Sequence, residues 1–178
     1  MLDYPVLSLV GGKWTSFRAF SEQVTDIVLD RLEKPRRVST RDLPIGGGQG
    51  YPKGEEEQMQ WLCAASERAG LNPDRMKTCF ERYGTRASKV AEFVAAEDDH
   101  ALRSMPSYSH REILYLVRHE MILHLEDLLR RRSNLMKLGE LTPAVAEELA
   151  HILQAQLGWT EKEMTQEISQ VLDAAGYR

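Results

Sequence analysis

The chain has 178 residues, 42% of them apolar and 28% charged, and a net charge of −4. That length suits one compact domain, or one domain with an appendage, and so small a charge gives no reason to expect nucleic acid or an anionic membrane as partner. No apolar run reaches the roughly 18 residues that span a bilayer, and no basic-then-apolar signal peptide opens the chain.

Residues 6–20, VLSLVGGKWTSFRAF, begin with an apolar, β-branched run that breaks at Gly11-Gly12. The run predicts a strand, and a helix follows from Thr15. Over 15–34, Phe17, Phe20, Val24, Ile27, Val28 and Leu32 recur at steps of three and four, one stripe of a helix that Pro35 stops. Residues 35–54 carry three prolines and five glycines without periodicity, which reads as a linker.

Everything after residue 54 reads as helical. A helix over 55–69 sets Met59, Leu62, Cys63 and Ser66 on one side and ends at Gly70. Cys63 and Cys79 are too far apart for a CxxC pair, so both are expected to be reduced core residues of a cytoplasmic protein. Asn72 with Pro73 caps a short helix that Gly84 stops, and Thr85 is expected to cap the next. A polar stretch over 97–108 reads as a loop. The longest helix is expected over 109–132, opened by a Ser109/Glu112 capping box and lined by Leu114, Val117, Met121, Leu125 and Leu128. Thr142-Pro143 opens a helix with Val145, Leu149, Ile152 and Leu153 inward. A Thr160/Glu163 capping box opens the last one, with Met164, Ile168, Val171, Leu172 and Ala175 on one face. The fold class is therefore mainly α.

Several motifs fail as chemical sites. GGGQG at 46–50 lacks the spacing of G-x-G-x-x-G, and Gly11-Gly12-Lys13 lacks that of a P-loop. His119 and His124 are five apart, roughly 140° round a helix, so they do not form a zincin pair and no metal site is expected. Glu120 and His124 are four apart and read as a helix pair. In LEDLLRRRSNL, Glu126 and Asp127 stand four residues before Arg130 and Arg131, each pair worth about 0.2–0.5 kcal/mol in an isolated helix. Arg130, Arg131 and Arg132 occupy consecutive positions and point three ways, so at least one should reach another element or partner.

The opening stretch holds the one promising site. Two glycines let the backbone approach a ligand closely, and the following helix start presents unpaired N–H groups with partial positive charge. With Lys13 beside them, these residues suit an anion or an oxygen that becomes anionic. A plain strand–turn–helix joint accounts for them equally well.

VGGKWTSFR, RYGTRASKV, YLVRHEMILHLEDLLRRRSNL and LGWTEKEM together resemble the C-terminal part of FAD-dependent glycerol-3-phosphate dehydrogenases and the related α-glycerophosphate oxidases. The resemblance covers nearly the whole chain, least closely over 35–80. It implies oxidation of sn-glycerol 3-phosphate to dihydroxyacetone phosphate by hydride transfer to FAD, with electrons passed on to a membrane quinone or to oxygen. It further implies that residues 1–34 are the tail of an FAD-binding domain, 35–54 a linker and 55–178 an α-helical C-terminal cap. Gly11, Gly12 and Thr15 would then contact the flavin, and Lys13 would be the catalytic residue of the intact enzyme. Ser16 and Phe17 stand where the family usually has Thr and Tyr.

The dinucleotide fold and the family's substrate-binding histidine and arginines are not among these residues. The chain alone is therefore expected to be inactive and to hold no FAD. Its expected partner is the FAD-binding domain, and the quinone is reached only through an intact enzyme peripheral to the membrane's inner face. The competing expectation is a free-standing helical interaction module, dimerising through its N-terminal strand.

Overall fold

The computed structural model describes residues 5–11 and 13–177. The chain divides into two compact units, Met1–Ile45 and Gly46–Arg178.

In the first unit a short 3-10 turn, Trp14–Ser16, leads into α1, Phe17–Arg31. Residues 5–11 carry no regular structure and pair with no strand among the described residues, where the sequence predicts a strand. A strand needs the backbone groups of a neighbour to close its ladder, and none is supplied here. The helix ends at Leu32, and Glu33 turns the chain with a φ of 53°. Residues 36–43 are then tied back along α1 by its own side chains. Arg18 Nη1 donates to the carbonyls of Thr40 and Leu43 at 2.6 Å each. Arg36 donates to the Glu22 carbonyl at 2.7 Å and to Asp26 Oδ1 at 2.5 Å. The apolar stripe predicted for α1 is present but uncovered within its unit: Phe17, Ile27, Val28 and Leu32 are exposed, and no residue of α1 is buried.

The second unit is a chain of packed helices: α2, Glu55–Ala69; α3, Pro73–Tyr83; α4, Ala87–Ala95; α5, His110–His119; α6, Pro143–Leu157; and α7, Glu161–Ala174. Each packs on the next in order, and α2 also packs on α4. Two apolar clusters hold it together. One is built on Met76, Cys79, Phe80, Ala87 and Ala91, the other on residues including Ile113, Leu125, Leu128, Leu149 and Leu153. Asn72 and Thr142 cap α3 and α6, and the Thr160/Glu163 box closes reciprocally at α7. On α6 the predicted inward residues are all buried, whereas Ala175, beyond α7, is exposed.

Four sequence expectations need correction. The inward face of α2 is turned toward Trp61, Leu62 and Ala65, because Trp61 packs on Phe80 with ring centroids 4.8 Å apart; Met59 and Cys63 face outward. Cys79 is buried as expected, and burial pushes its thiol up to about 12, reinforced by the charge of Glu112. Thr85 is no cap: its hydroxyl donates to the carbonyls of Gly47 and Gln49, and a 3-10 turn, Gly84–Arg86, precedes α4.

The third correction is at Ser109, which accepts from the Glu112 N–H at 3.4 Å while the Glu112 carboxylate turns elsewhere, so the box is half-formed. The fourth is the predicted helix over 109–132, which breaks after His119. Met121 adopts a φ of 54° and is 86% exposed. The Asp127 carboxylate accepts from the N–H groups of Leu123 and His124 and starts a new turn, which continues as a π-helical segment, Asp127–Arg132. Arg132 Nε satisfies the Glu120 carbonyl left at the break, at 2.7 Å. The detour lets Ile122, Leu125, Leu128 and Leu129 all enter the core.

Candidate functional site

The candidate site of the first unit is made where the chain enters α1. The Ser16 N–H and hydroxyl both donate to the Lys13 carbonyl at 3.2 Å, closing the turn. The Ser16 hydroxyl makes no side-chain cap to the helix. The first N–H groups of α1 consequently have no side-chain acceptor at the N-cap, and no acidic residue stands in the first turn. A cleft of about 510 Å³ adjoins this helix start, lined by Val10, Gly11, Lys13, Ser16, Phe17 and Phe20.

Of the residues singled out in the sequence, Gly11 and Lys13 line this cleft and Thr15 lies in the turn beside it, while Gly12 lies outside the described residues. A Cβ on Gly11 would stand 3.5 Å from the Phe20 ring, an ordinary contact, so the glycine is not demanded by packing inside this unit. Lys13 is exposed. The arrangement is a cleft with apolar flanks and the Lys13 side chain among its lining.

The second unit contains a buried polar centre with no single-sequence signal. Glu112 on α5 is completely buried, and its carboxylate accepts from Arg75, from Arg82 at 2.8 Å and from the Tyr83 hydroxyl at 2.7 Å. Burial pushes the Tyr83 phenol far up, and Glu112 beside it adds to the effect. The Arg82 guanidinium lies 3.5 Å from the centroid of the Tyr108 ring. Arg75 and the Nη1 group of Arg82 hold α3 to α5 through the Glu112 carboxylate, which gives the centre the character of a structural clamp.

The histidines and the arginine run are also distributed among structural partners. His119 packs against Phe93 and Tyr115, and His124 pairs with Glu167 of α7 at 2.8 Å instead of with Glu120. That hydrogen bond is the main reason the His124 imidazole titrates above its usual range. Among the described residues no three His, Cys, Asp or Glu side chains converge as a metal site. Arg130 pairs with Glu126 and Arg131 with Asp127, as the four-residue spacing predicts, while Arg132 reaches back across the helix break to Glu120. No helix among the described residues is long and apolar enough to cross a membrane.

Known proteins place this arrangement in context. The family model described as the C-terminal domain of alpha-glycerophosphate oxidase matches residues 38–164. The chain is 28% identical to the aerobic glycerol-3-phosphate dehydrogenase of Staphylococcus haemolyticus, over 96% of this chain and 32% of that protein. It is 26% identical to the alpha-glycerophosphate oxidase of Streptococcus pneumoniae, over 90% of this chain and 27% of that protein. The chain thus spans about a third of the length of the curated relatives it matches, or less. Among solved structures, the glycerol-3-phosphate dehydrogenase from Bacillus halodurans complexed with FAD shares the fold, with a TM-score of 0.72 at 20% identity, over 94% of this chain and 34% of that one.

Proposed function

Because the chain belongs to the family of the C-terminal domain of alpha-glycerophosphate oxidase, we propose that it serves as the C-terminal part of an FAD-dependent glycerol-3-phosphate dehydrogenase or oxidase. Its second unit is the helical cap, and its first unit completes the flavin site. The observation that carries this reading is the start of α1, which has no side-chain cap and adjoins a cleft lined by Lys13 and flanked by Val10, Phe17 and Phe20.

Those residues fit the pyrimidine edge of an isoalloxazine, which needs donors at one rim and apolar contact on its faces. When bound, FAD would supply the hydride acceptor. The helix N-terminus and the Gly11 backbone would hold its electron-rich edge, and the Lys13 ammonium would balance negative charge there or on the substrate oxygen. The exposed stripe of α1 and the exposed Val6, Leu9 and Val10 suit a second role, as the surface that the FAD-binding domain covers. The quinone or oxygen that receives the electrons would be reached only through that larger assembly.

The test joins residues 1–178 to the FAD-binding part of the Staphylococcus haemolyticus relative and compares native Lys13 with Lys13→Met. Removing one preorganised donor of this kind costs about 2.7–4 kcal/mol in other enzymes, so turnover should fall by roughly two to three powers of ten. In the unfused chain the same change should leave thermal stability nearly unaltered, since Lys13 is exposed. Near-normal turnover of the fused variant, or a large stability loss in the unfused one, would overturn the role.

A further inference from the structure

The second unit holds a cleft that the proposed function does not use. Arg82 from α3, Arg86 from the 3-10 turn, and Arg131 and Arg132 from the π-helical segment all line one cavity of about 620 Å³, together with Gly46–Gly48 and Glu120. Four arginines from three elements line it, and the acids beside them do not match their number. Glu120 is shared by Arg86, at 3.3 Å, and Arg132, at 3.9 Å. Glu112 is shared by Arg82 and Arg75. Asp127 alone has one arginine, Arg131, at 2.5 Å.

The hydrogen bonds point the same way. Arg82, Arg86 and Arg131 donate to the protein through Nη1, and Arg132 through Nε. Among the described residues, the Nη2 group of each of the four has no protein acceptor. A guanidinium carries five N–H donors in a planar fork, so each keeps an edge free for a ligand.

The backbone is shaped around these side chains in two places. The π-helical winding makes consecutive side chains diverge less than the 100° of an α-helix, which sets Arg131 and Arg132 on the same cavity; such turns are rare and frequent at functional sites. Opposite the turn, Gly46 leaves room for Arg86: a Cβ there would stand 3.1 Å from its Nη1.

We infer that this cleft binds a phosphate-bearing anion, held by the free guanidinium edges of Arg82, Arg86, Arg131 and Arg132. A single planar carboxylate uses one such edge, or two at most. A tetrahedral phosphate dianion accepts from several directions at once and matches donors arriving from three elements. The glycines here do not cradle the phosphate as a P-loop would, in keeping with their failure to match that spacing; the arginines supply the donors. The inference uses only residues 46–178, so it stands or falls independently of the role given to Lys13.

The experiment titrates the isotopically labelled chain with inorganic phosphate at constant ionic strength and follows the arginine side-chain and Gly47 and Gly48 amide signals by NMR. Saturable shifts are expected. Arg86 and Arg131 have side chains 58% and 57% exposed, so Arg86→Gln and Arg131→Gln should leave the fold intact, which circular dichroism checks. Together these changes should weaken binding roughly tenfold or more. Arg68→Gln, an equal loss of charge on the surface of α2, should leave it unchanged.

A parallel arm sediments the chain with phosphatidylcholine vesicles with and without phosphatidic acid. Pelleting that needs phosphatidic acid and both arginines, without saturation by free phosphate, would assign the phosphate to a lipid headgroup. Saturation by free phosphate assigns it to a soluble ligand. Unsaturable shifts with no such pelleting, or equal binding by the double variant and Arg68→Gln, overturns the inference.

Discussion

Replacing Glu112 by Gln should be the most informative single change to the stability of the helical unit. The substitution keeps the volume, so no cavity forms, and it removes one charge from a site where the carboxylate is wholly buried. Arg75 and Arg82 lose their common counter-ion, and one amide N–H₂ is forced against a guanidinium donor. Breaking a buried pair by removing one partner costs about 3–5 kcal/mol. The side chains of Arg75 and Arg82 are 20% and 19% exposed, so water takes over part of the work and the cost falls near the low end, about 3 kcal/mol. At about 2–4 °C per kcal/mol for a chain of this size, Tm should drop by roughly 6–12 °C. Urea denaturation followed by circular dichroism gives the free energy directly. In an Arg82→Met background the same Glu112→Gln step should cost clearly less, because one of the two stranded cations is already gone. A loss below about 1 kcal/mol in the native background, or an equal loss in both, would refute the clamp.

Two further outcomes follow from the geometry. Gly47→Ala should destabilise at least twice as much as Gly50→Ala. Both have positive φ, a strain of about 1–2 kcal/mol for alanine, but a Cβ at Gly47 would lie 2.2 Å from the Tyr83 carbonyl oxygen, while at Gly50 nothing stands within 4 Å; similar Tm shifts for the two would contradict the close approach. His124 titrates above its ordinary value because of Glu167, so the stability this pair adds is complete below about pH 6.5 and is lost as pH rises through the elevated folded value. NMR titration of Glu167→Gln should return the imidazole toward that ordinary value, and an unmoved titration would assign the shift to another neighbour.

Sequence reasoning reached the elements whose determinants are local. The helix starts at Asn72, Thr142 and Thr160 were readable because cap and capped N–H lie within three residues of each other. The stops at Gly70 and Gly158 were readable because both glycines take a left-handed conformation directly after the last turn. Where the decisive partner is remote, the same reasoning failed. Glu112 reads as the third residue of a capping box, yet its partners Arg75 and Arg82 stand 37 and 30 positions away and outcompete the local N–H. The periodicity of 109–132 runs unbroken across Met121, and nothing local announces that Asp127 will turn back to cap Leu123 and His124. Cys63 lost its predicted place in the core to Trp61, whose larger ring found Phe80.

The same division applies to the two candidate sites. Gly11, Lys13 and Thr15 fall in one continuous stretch, so the motif exposes them even though the apolar run before them forms no strand among the described residues. The cleft lined by Arg82, Arg86, Arg131 and Arg132 draws on segments some fifty residues apart, and only the fold brings them together. Each arginine viewed alone has a sufficient structural explanation in Glu112, Glu120 or Asp127. Only the shared use of Glu112 and Glu120, which leaves more guanidinium edges than carboxylates can occupy, makes the cluster a site. An excess of donors over acceptors at one place is a property of the assembled cavity, and it is invisible to any reading that treats each helix face in turn.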